Sequence, residues 1–325
     1  MGKPVAALSL DLDNQWSYMK THGDRGWEAF PSYLDVVVPR VLEVLGRWGW
    51  TITVFVVGQD AALERNREVL RALGAAGHEF GNHSFRHEPW LHLYSESEID
   101  QEIARAEEAI EAATGQRTQG FRGPGYSLSQ STLRILAKRG YLYDASTLPT
   151  FLGPLARAYY FLRSNLRREE KAERKKLFGT LKDGLRPVRP YRWQLEDSQL
   201  LEIPVTTMPV FKLPFHFSYL LYISTFSAAL AVLYFKAALL MCRMTGTEPS
   251  LLVHPLDFLG REDVPELGFF PAMNLESSRK LALLNRFLET LHGRYTVVSM
   301  GEHAERLQRG GSLGVRSPRE SNLKP

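Results

Sequence analysis

Short runs of apolar and β-branched residues alternate along the chain with segments in which apolar residues recur every three or four positions. The first kind of run predicts buried strands, as in "VAALSL" (5–10) and "TITVFVV" (51–57). The second kind predicts helices, as in residues 34–49, 60–77 and 95–115. The last of these begins with a serine and acidic residues and ends at a glycine, as helices commonly do. Strands separated by helices predict a parallel sheet with crossover connections.

Further strand-like runs continue towards the C-terminus: "HEFGNH", "TQGFRG", "GYLYDAS", "LLEIPVTT", "SLLVHP" and "RYTVVSM". So many strand–helix units favour a closed or nearly closed β/α barrel over an open sheet. We predict one barrel domain over residues 1–305, with an insertion at about 150–245, followed by a flexible tail at 306–325.

Polar residues stand at the ends of five of the predicted strands. In a β/α barrel the carboxyl ends of the strands share one rim, where reactive side chains gather. The sequence therefore predicts a single site built from Asp11 and Asp13, His83 and His87, Arg122, Asp144 and His254.

The composition is that of a globular protein, with 325 residues, 44% hydrophobic residues and 23% charged residues. The single cysteine, Cys242, excludes an intramolecular disulfide and a cysteine-rich zinc site. The N-terminus does not resemble a secretory signal, because its apolar run ends at Asp11. We expect the protein to be in the cytoplasm, either free or bound peripherally to the inner face of the cell membrane.

Two stretches of the insertion depart from the strand–helix pattern. Residues 157–192 hold twelve Lys/Arg against four Asp/Glu, and residues 217–235 form a charge-free apolar segment, predicted as one helix. If residues 217–235 crossed a membrane once, Asp144 and His254 would lie on opposite sides of it and could not share one site. We therefore do not expect this segment to span a membrane. An interfacial helix beside an anionic membrane and an ordinary barrel helix with a solvated basic insertion both remain open. We expect no nucleic-acid partner, because no recognised nucleic-acid-binding fold is present.

The stretch "GNHSFRHEPW" places His83 and His87 four residues apart. It is not a zinc-protease motif, because Ser84 stands where that motif has glutamate. Such a pair also arises by chance, and a metal site needs a further ligand. Asp11 and Asp13 point to the same side of a strand, so one could bind a metal while the other accepts a proton. They could equally be two loop-capping acids.

The stretches "SLDLDNQ", "NHSFRH", "FRGPGYS", "YDAST" and "LLVHPLD" resemble, in this order, the five motifs of the polysaccharide deacetylase family (carbohydrate esterase family four, which includes chitooligosaccharide deacetylases). The resemblance implies a distorted (β/α) barrel that removes acetyl groups from sugars with one divalent metal ion, most readily Zn²⁺, with Co²⁺, Ni²⁺ and Mn²⁺ as alternatives. It implies Asp13, His83 and His87 as metal ligands and Asp11 as the general base.

The same resemblance assigns the remaining roles. Arg122 would be the charge partner of the base, and His254 the general acid, oriented by Asp144. A backbone N–H near Gly125 would bind the developing oxyanion, with Tyr126 beside it. Apart from the resemblance, Trp16 in the first loop could stack on a sugar ring, and buried packing is an equally good reading of it.

The sequence departs from the family pattern in three places. Leu12 separates two aspartates that are usually adjacent, Glu88 precedes the proline of the second motif, and Gly125 replaces an aromatic residue of the third. Asp257 also competes with Asp144 for the role of orienting His254.

These features predict a metal-dependent hydrolase that removes an N-acetyl or N-formyl group from a sugar. The insertion suggests a glycolipid or polyprenyl-linked sugar at the cytoplasmic leaflet. One alternative is a non-catalytic relative that binds glycans or lipids. Another is an iron oxygenase with a facial triad of two histidines and a carboxylate, which the alternating helices disfavour.

Overall fold

A mostly parallel sheet forms the centre of the computed structural model, which describes residues 2–163, 166, 180–310, 313–318 and 323. Its strands are β1 (Val5–Leu12), β2 (Thr53–Val56), β3 (Glu79–Asn82), β4 (Gly120–Phe121), β5 (Tyr143–Asp144), β6 (Tyr191–Gln194), β7 (Gln199–Glu202), β8 (Ser250–Val253), β9 (Thr296–Val298) and β10 (Gly314–Arg316). Their order is β10-β6-β7-β5-β4-β3-β2-β1-β8, and β9 also pairs with β1. Among these ten strands of the described residues, only β6 and β7 pair antiparallel.

The helices that accompany the sheet are α1 (Gln15–His22), α2 (Leu34–Gly46), α3 (Gly58–Ala61), α4 (Arg67–Ala75), α5 (Glu96–Thr114), α6 (Gln130–Lys138), α7 (Gly153–Arg163), α8 (Phe217–Ser224), α9 (Ala228–Met244), α10 (Ser277–His292) and α11 (Met300–Arg309). The predicted start and end of α5 are confirmed, since Ser95 and Glu98 form a capping box and Gly115 ends the helix in the left-handed conformation.

The predicted alternation of strands and helices is confirmed, with three differences. The predicted helix 60–77 is divided into α3, a short 3₁₀ turn and α4. The hairpin strand β6 was not predicted, because its sequence "YRWQ" lacks a β-branched run. Part of the predicted flexible tail is ordered: α11 extends to Arg309, and Gly314–Arg316 pairs with β6.

A contact between distant strands fits a sheet that curves. Arg122 follows β4 and Asp11 lies in β1, with β2 and β3 between them. In a flat sheet these two strands would be about 14 Å apart, since neighbouring strands are about 4.8 Å apart. The Arg122 Nη1 nevertheless lies 2.6 Å from the Asp11 Oδ1. The sheet thus curves towards a barrel, although no hydrogen bonds join its edge strands β8 and β10 within the described ranges.

The strand register determines which side chains point into this curved sheet. Leu12, Val56, Asn82 and Phe121 are aligned across β1–β4, and Asp144 continues the same row on β5. Because side chains alternate between faces, the residues that follow the row on three strands lie on the opposite, inner face. Those residues are Asp13, His83 and Arg122. The pairing of Leu10 with Val253 brings Asp11 beside His254 on that inner face.

The predicted single apolar helix at 217–235 is wrong, because the segment forms the end of one helix and the start of another. Helix α8 ends at Ser224, and Ser227 caps the start of α9 by accepting a hydrogen bond from the Leu230 amide. One face of α9 packs into the core, and the other is exposed. No helix within the described ranges is both long and apolar enough to cross a membrane. Of the basic stretch, residues 164–165 and 167–179 lie outside the described residues.

Asp144 and Glu202 form a pair of buried carboxyl groups on the adjacent strands β5 and β7. Glu202 accepts hydrogen bonds from Thr147 Oγ1 (2.6 Å) and Trp193 Nε1 (2.8 Å), and Asp144 accepts one from Ser146 Oγ (2.6 Å). Burial raises the pKa of both groups, and the charge of Asp144 raises the pKa of Glu202 further. A proton held between them avoids two buried like charges.

We expect the Glu202→Gln variant to lose less stability than the wild type as the pH rises above the ordinary glutamate pKa. The folded chain holds the Glu202 proton more tightly than the unfolded chain does, because the pKa of this group is raised in the fold. Its contribution to stability is therefore complete below the ordinary glutamate pKa and is lost as the pH rises through the raised pKa. Urea unfolding at several pH values measures this loss.

The matched control is Glu196→Gln, an exposed position in the neighbouring β6–β7 loop, which should follow the wild-type pH dependence. A Glu202→Gln profile identical to that of the control would contradict the shared proton.

Candidate metal-dependent active site

The side chains of Asp13, His83 and His87 meet at one point beyond the ends of β1 and β3. The Asp13 Oδ1 lies 3.3 Å from the His83 Nε2 and 3.0 Å from the His87 Nε2. All three side chains are buried, and one ligand atom from each lies within 4.8 Å of the others. Within the described part of the chain, this is the one group of His, Cys, Asp and Glu side chains that could hold a metal ion.

Hydrogen bonds prepare these groups to act as ligands. The His83 Nδ1 donates to the backbone carbonyl of Arg122 at 2.6 Å, so in the neutral ring the Nε2 lone pair faces Asp13. Burial alone would raise the pKa of Asp13, but His87 and His83 outweigh it and hold that pKa well below its usual range. The carboxylate therefore remains ionised at neutral pH.

The donor set fits a divalent ion such as zinc. The Asp13 Oδ1 and both ring nitrogens of His87 are buried without a hydrogen-bond partner. Such groups are costly to bury unless something binds them, and an ion would satisfy the Asp13 oxygen and one His87 nitrogen. Ligands at about 2.0–2.2 Å from a tetrahedral ion lie roughly 3.3–3.6 Å apart, close to the separations of 3.3 and 3.0 Å from the Asp13 Oδ1 to the two histidines. Two imidazoles and one carboxylate also suit cobalt, nickel or manganese.

The loop that carries the two histidines is held in a strained conformation. Ser84 and His87 have φ values of 59° and 52°, in the left-handed region that non-glycine residues rarely adopt. The Glu102 carboxylate of α5 accepts hydrogen bonds from the backbone amides of Phe85 (3.2 Å) and Arg86 (2.8 Å). These contacts hold the loop so that the side chains of His83 and His87, four residues apart, come together although the loop is not helical.

Glu88, which precedes the proline of the second motif, connects this loop to α1. Its Oε1 accepts a hydrogen bond from the Lys20 Nζ at 2.5 Å. That ammonium group also lies 5.1–5.8 Å from the ring centres of Trp16, Trp27 and Trp90. The insertion of Glu88 before the proline therefore adds a structural contact and leaves His87 in place.

Arg122 is fully buried and fixes the orientation of Asp11. Its Nη1 donates to the Asp11 Oδ1 (2.6 Å) and to the Ser9 Oγ (2.9 Å), and its Nε donates to the Ala145 carbonyl (3.1 Å). The ring of Phe55 supports the guanidinium group, with its centre 4.4 Å away. With Oδ1 bound to Arg122, the Oδ2 of Asp11 faces the His254 Nε2 at 4.0 Å.

The structure corrects the predicted partner of His254. Asp144 belongs to the row of residues on the outer face of the sheet, whereas His254 follows β8 on the inner face. The His254 Nδ1 instead lies 3.0 Å from the Ser218 Oγ, which donates to the Asp257 Oδ2 at 3.1 Å. Asp257, the competing candidate, therefore reaches the ring through a serine. Ser218 was not predicted, because it lies in an apolar run that contains no recognised motif.

His216 is a further residue beside the site that sequence reasoning missed. Its ring centre lies 6.0 Å from that of His254. Burial, together with the charges of His254 and Arg122, lowers the pKa of His216 to about 3, so its ring is neutral at pH 7. A neutral neighbour does not oppose protonation of His254.

A cavity of about 320 Å³ opens over these groups and joins them in one site. Asp11, Asp13, both histidines and His254 line one part of it, and Gly125 and Tyr126 line it as predicted. The backbone amide of Tyr126 donates to the Gly123 carbonyl at 2.9 Å, so Gly125 is the better candidate for binding an oxyanion. The rest of the wall is largely apolar and includes Tyr18, Phe269, Phe270 and Pro271.

The structure contradicts the predicted contact of Trp16 with a sugar. Trp16 is 1% exposed, and its Nε1 donates to the buried Asp60 Oδ1 at 3.0 Å. Its indole packs edge-on against Phe30 with ring centres 5.3 Å apart. Trp16 therefore supports the loop after β1 from behind and does not line the cavity.

Comparisons with known proteins concern the family and the fold. Residues 24–143 match the family model for polysaccharide deacetylases, a segment that contains His83, His87 and Arg122. A peptidoglycan deacetylase of Helicobacter pylori is 27% identical over 151 residues, which are 44% of this chain and 50% of that protein. The chain thus matches about half the length of this curated relative. These matches support the assignment to the polysaccharide deacetylase family that the motifs predicted.

Solved structures show the same fold over nearly the whole chain. A Mycobacterium smegmatis protein assigned to the polysaccharide deacetylases is 22% identical, with a TM-score of 0.64, over 97% of this chain and 95% of that chain. A Pseudomonas aeruginosa protein with the same assignment is 19% identical, with a TM-score of 0.59, over 94% and 91% of the two chains. The predicted α/β fold, a barrel of the deacetylase type, is therefore confirmed.

We expect the wild-type protein to bind one equivalent of Zn²⁺ and the His83→Ala variant to bind it at least about tenfold to a hundredfold more weakly. The substitution removes a buried ligand whose orientation is already set by the Arg122 carbonyl. Isothermal titration after chelation and dialysis measures the affinity. His292→Ala is the control, since it removes an exposed imidazole far along the chain. Equal zinc affinity in both variants would exclude the Asp13–His83–His87 site.

Proposed function

We propose that this protein is a metal-dependent hydrolase that removes an N-acetyl or N-formyl group from an amino sugar. The observation that carries the proposal is the position of the Asp13–His83–His87 group in the same cavity as Asp11 and His254. The match of residues 24–143 to the polysaccharide deacetylase family supports an acylated sugar as the substrate class. The name of the Helicobacter pylori relative supports hydrolysis of an acetamido group.

Asp13, His83 and His87 would hold the ion, and three protein ligands leave an open position beside the cavity. A divalent ion bound there supplies Lewis acidity and lowers the pKa of a coordinated water. Asp11 is the candidate to accept the proton of the attacking water. Its Oδ1 is held by Arg122, so Oδ2 is the oxygen available inside the cavity.

His254 is the candidate to protonate the departing nitrogen. Its Nε2 lies 4.0 Å from the Asp11 Oδ2 and both residues line the cavity, so acid and base are close enough to act on one reacting centre. The Gly125 amide is the backbone donor proposed for the developing oxyanion. Gly125 has a φ of 55°, a conformation that a glycine adopts without strain.

We expect the Asp11→Asn variant to lose about 10²–10⁴-fold in kcat, the range that a general base commonly contributes. An amide can still accept a hydrogen bond from Arg122 but cannot take a proton from water. Released acetate and formate, measured with free and lipid-linked acylamino sugars, report the activity. Asp35→Asn, an exposed position on α2, is the matched control. A zinc-loaded wild type that binds these sugars and releases no acid would instead identify a non-catalytic relative.

We further propose that the substrate is a glycolipid or polyprenyl-linked sugar presented at an anionic membrane surface, and that the protein works peripherally on the cytoplasmic leaflet. Support comes from the outward face of α9 and the turn before it, where large apolar side chains are exposed. Phe226 is 76% exposed, Leu233 65% and Met244 77%, with Leu230 and Leu240 on the same face. A contiguous face of this kind is typical of a docking surface.

The position of this face relative to the site also supports a membrane. Ser218, which contacts His254, lies at the start of α8, and Phe226 lies in the turn directly after that helix. Lys236 lies exposed within the apolar face, and the excess of Lys/Arg in residues 157–192 would attract anionic headgroups. The cavity wall at Tyr18, Phe269 and Phe270 is apolar enough to contact part of a lipid chain.

We expect the Leu233→Glu variant to bind vesicles of phosphatidylglycerol and phosphatidylcholine at least about tenfold more weakly than the wild type. Burying a leucine contributes about 1.5–3 kcal/mol, and a glutamate would also face anionic headgroups. Vesicle co-sedimentation measures the binding. Val36→Glu, an exposed apolar position on α2, adds the same charge away from α9 and should bind like the wild type. No binding by the wild type would exclude the membrane surface.

A further inference from the structure

We propose that Ser218 is a positioning residue. Its hydroxyl accepts a hydrogen bond from the ring of His254 and donates one to Asp257, so that His254 is held in one orientation. The proposal rests on the proposed function for its catalytic consequence, but its geometry stands on contacts within the chain. Ser218 lies in the first turn of α8, inside the insertion and outside all five family motifs.

Three contacts join the residues into a relay. The Ser218 Oγ lies 3.0 Å from the His254 Nδ1 and donates its own hydrogen to the Asp257 Oδ2 at 3.1 Å. The same Oδ2 accepts the backbone N–H of His254 at 2.8 Å. Asp257 is 2% exposed, so its carboxyl group is held within the protein.

The direction of the hydrogen bonds follows from the chemistry of the acid form of His254. A ring that can act as a general acid carries hydrogens on both nitrogens, so its Nδ1 can only donate. A serine hydroxyl has one hydrogen and two lone pairs. With its hydrogen donated to Asp257, the Ser218 oxygen accepts the Nδ1–H, and the Nε2–H is left to face Asp11 and the cavity.

The backbone supports this arrangement from two sides. Asp257 follows His254 in the 3₁₀ turn Pro255–Asp257, and its amide donates to the His254 carbonyl at 2.9 Å. Phe217, next to Ser218, is fully buried against Phe235 and Phe287, with ring centres 5.8 and 6.3 Å away. The serine is thus held in place by a core residue of its own helix, and the ring is clamped between α8 and the turn after β8.

Ser218→Ala is the direct test, because it removes the oxygen and keeps the helix. We expect kcat with an acylated amino sugar to fall about tenfold to a hundredfold, up to the lower limit of what general acid catalysis contributes, while KM and zinc affinity stay near the wild-type values. Ser218→Thr keeps the hydroxyl and should restore most of kcat. Ser224→Ala is the matched control, since Ser224 lies on the same helix and donates only to the Leu221 carbonyl.

A second measurement does not depend on activity. Nitrogen-15 spectra of the zinc-loaded protein should show a His254 Nδ1–H protected from exchange in the wild type, Ser218→Thr and Ser224→Ala, and unprotected in Ser218→Ala. A protected Nδ1–H in Ser218→Ala, or an unchanged kcat, would overturn the proposal. So would a loss in Ser218→Ala that Ser218→Thr does not restore and that Ser224→Ala shares, because that pattern indicates a general effect on α8.

The two measurements separate this proposal from the proposed function. If the wild type releases no acid from any acylamino sugar but its Nδ1–H is protected by Ser218, the hydrolase proposal fails and the relay stands. If the wild type is active and the Nδ1–H is equally exposed in the wild type and in Ser218→Ala, the relay fails and the hydrolase proposal stands.

Discussion

The buried contact between Arg122 and Asp11 is the interaction on which the rest of the site depends. It joins residues from strands that are separated by two other strands of the sheet. Removing a guanidinium group from water is costly, and the fold offsets this cost with Ser9, the Ala145 carbonyl and the face of Phe55. The Arg122 carbonyl also fixes the orientation of His83. One residue therefore holds both the candidate base and a metal ligand.

The alternation of side chains along the strands explains which predictions were accurate. Asp11 and Asp13 share a face because they are two residues apart, and His83 and Arg122 join them because each follows the same row of aligned residues. Strand ends can be recognised from local sequence, so this part of the site could be predicted. Asp144 also stands at a strand end, but it lies in the aligned row itself and so points to the other face. That difference of one residue depends on register, which local sequence does not contain.

Other features depend on contacts between segments that are distant in the chain. Trp16 resembles a sugar-binding residue until Asp60, 44 positions later, accepts its indole N–H. Ser218 is one hydroxyl in an apolar run, and its role becomes visible only when α8 lies beside His254. The apolar segment 217–235 reads as one helix because it has no charge, whereas the hydroxyl of Ser227 caps a new helix within it. In each case a side-chain hydrogen bond, which hydrophobic periodicity does not encode, decides the structure.

The insertion contributes both to the proposed active site and to the proposed membrane-binding surface. Helix α8 presents Ser218 to His254 at its start, and the exposed apolar face begins where α8 ends and continues along α9. The buried side of the same two helices packs against α10 through Phe235 and Phe287. A membrane surface in contact with α9 would therefore act on an element that also touches the candidate acid. The contact between Ser218 and His254 is nevertheless made within the fold, where the buried Phe217 holds α8 against the core. The proposed positioning of the acid therefore does not require the membrane, and the two proposals can fail separately.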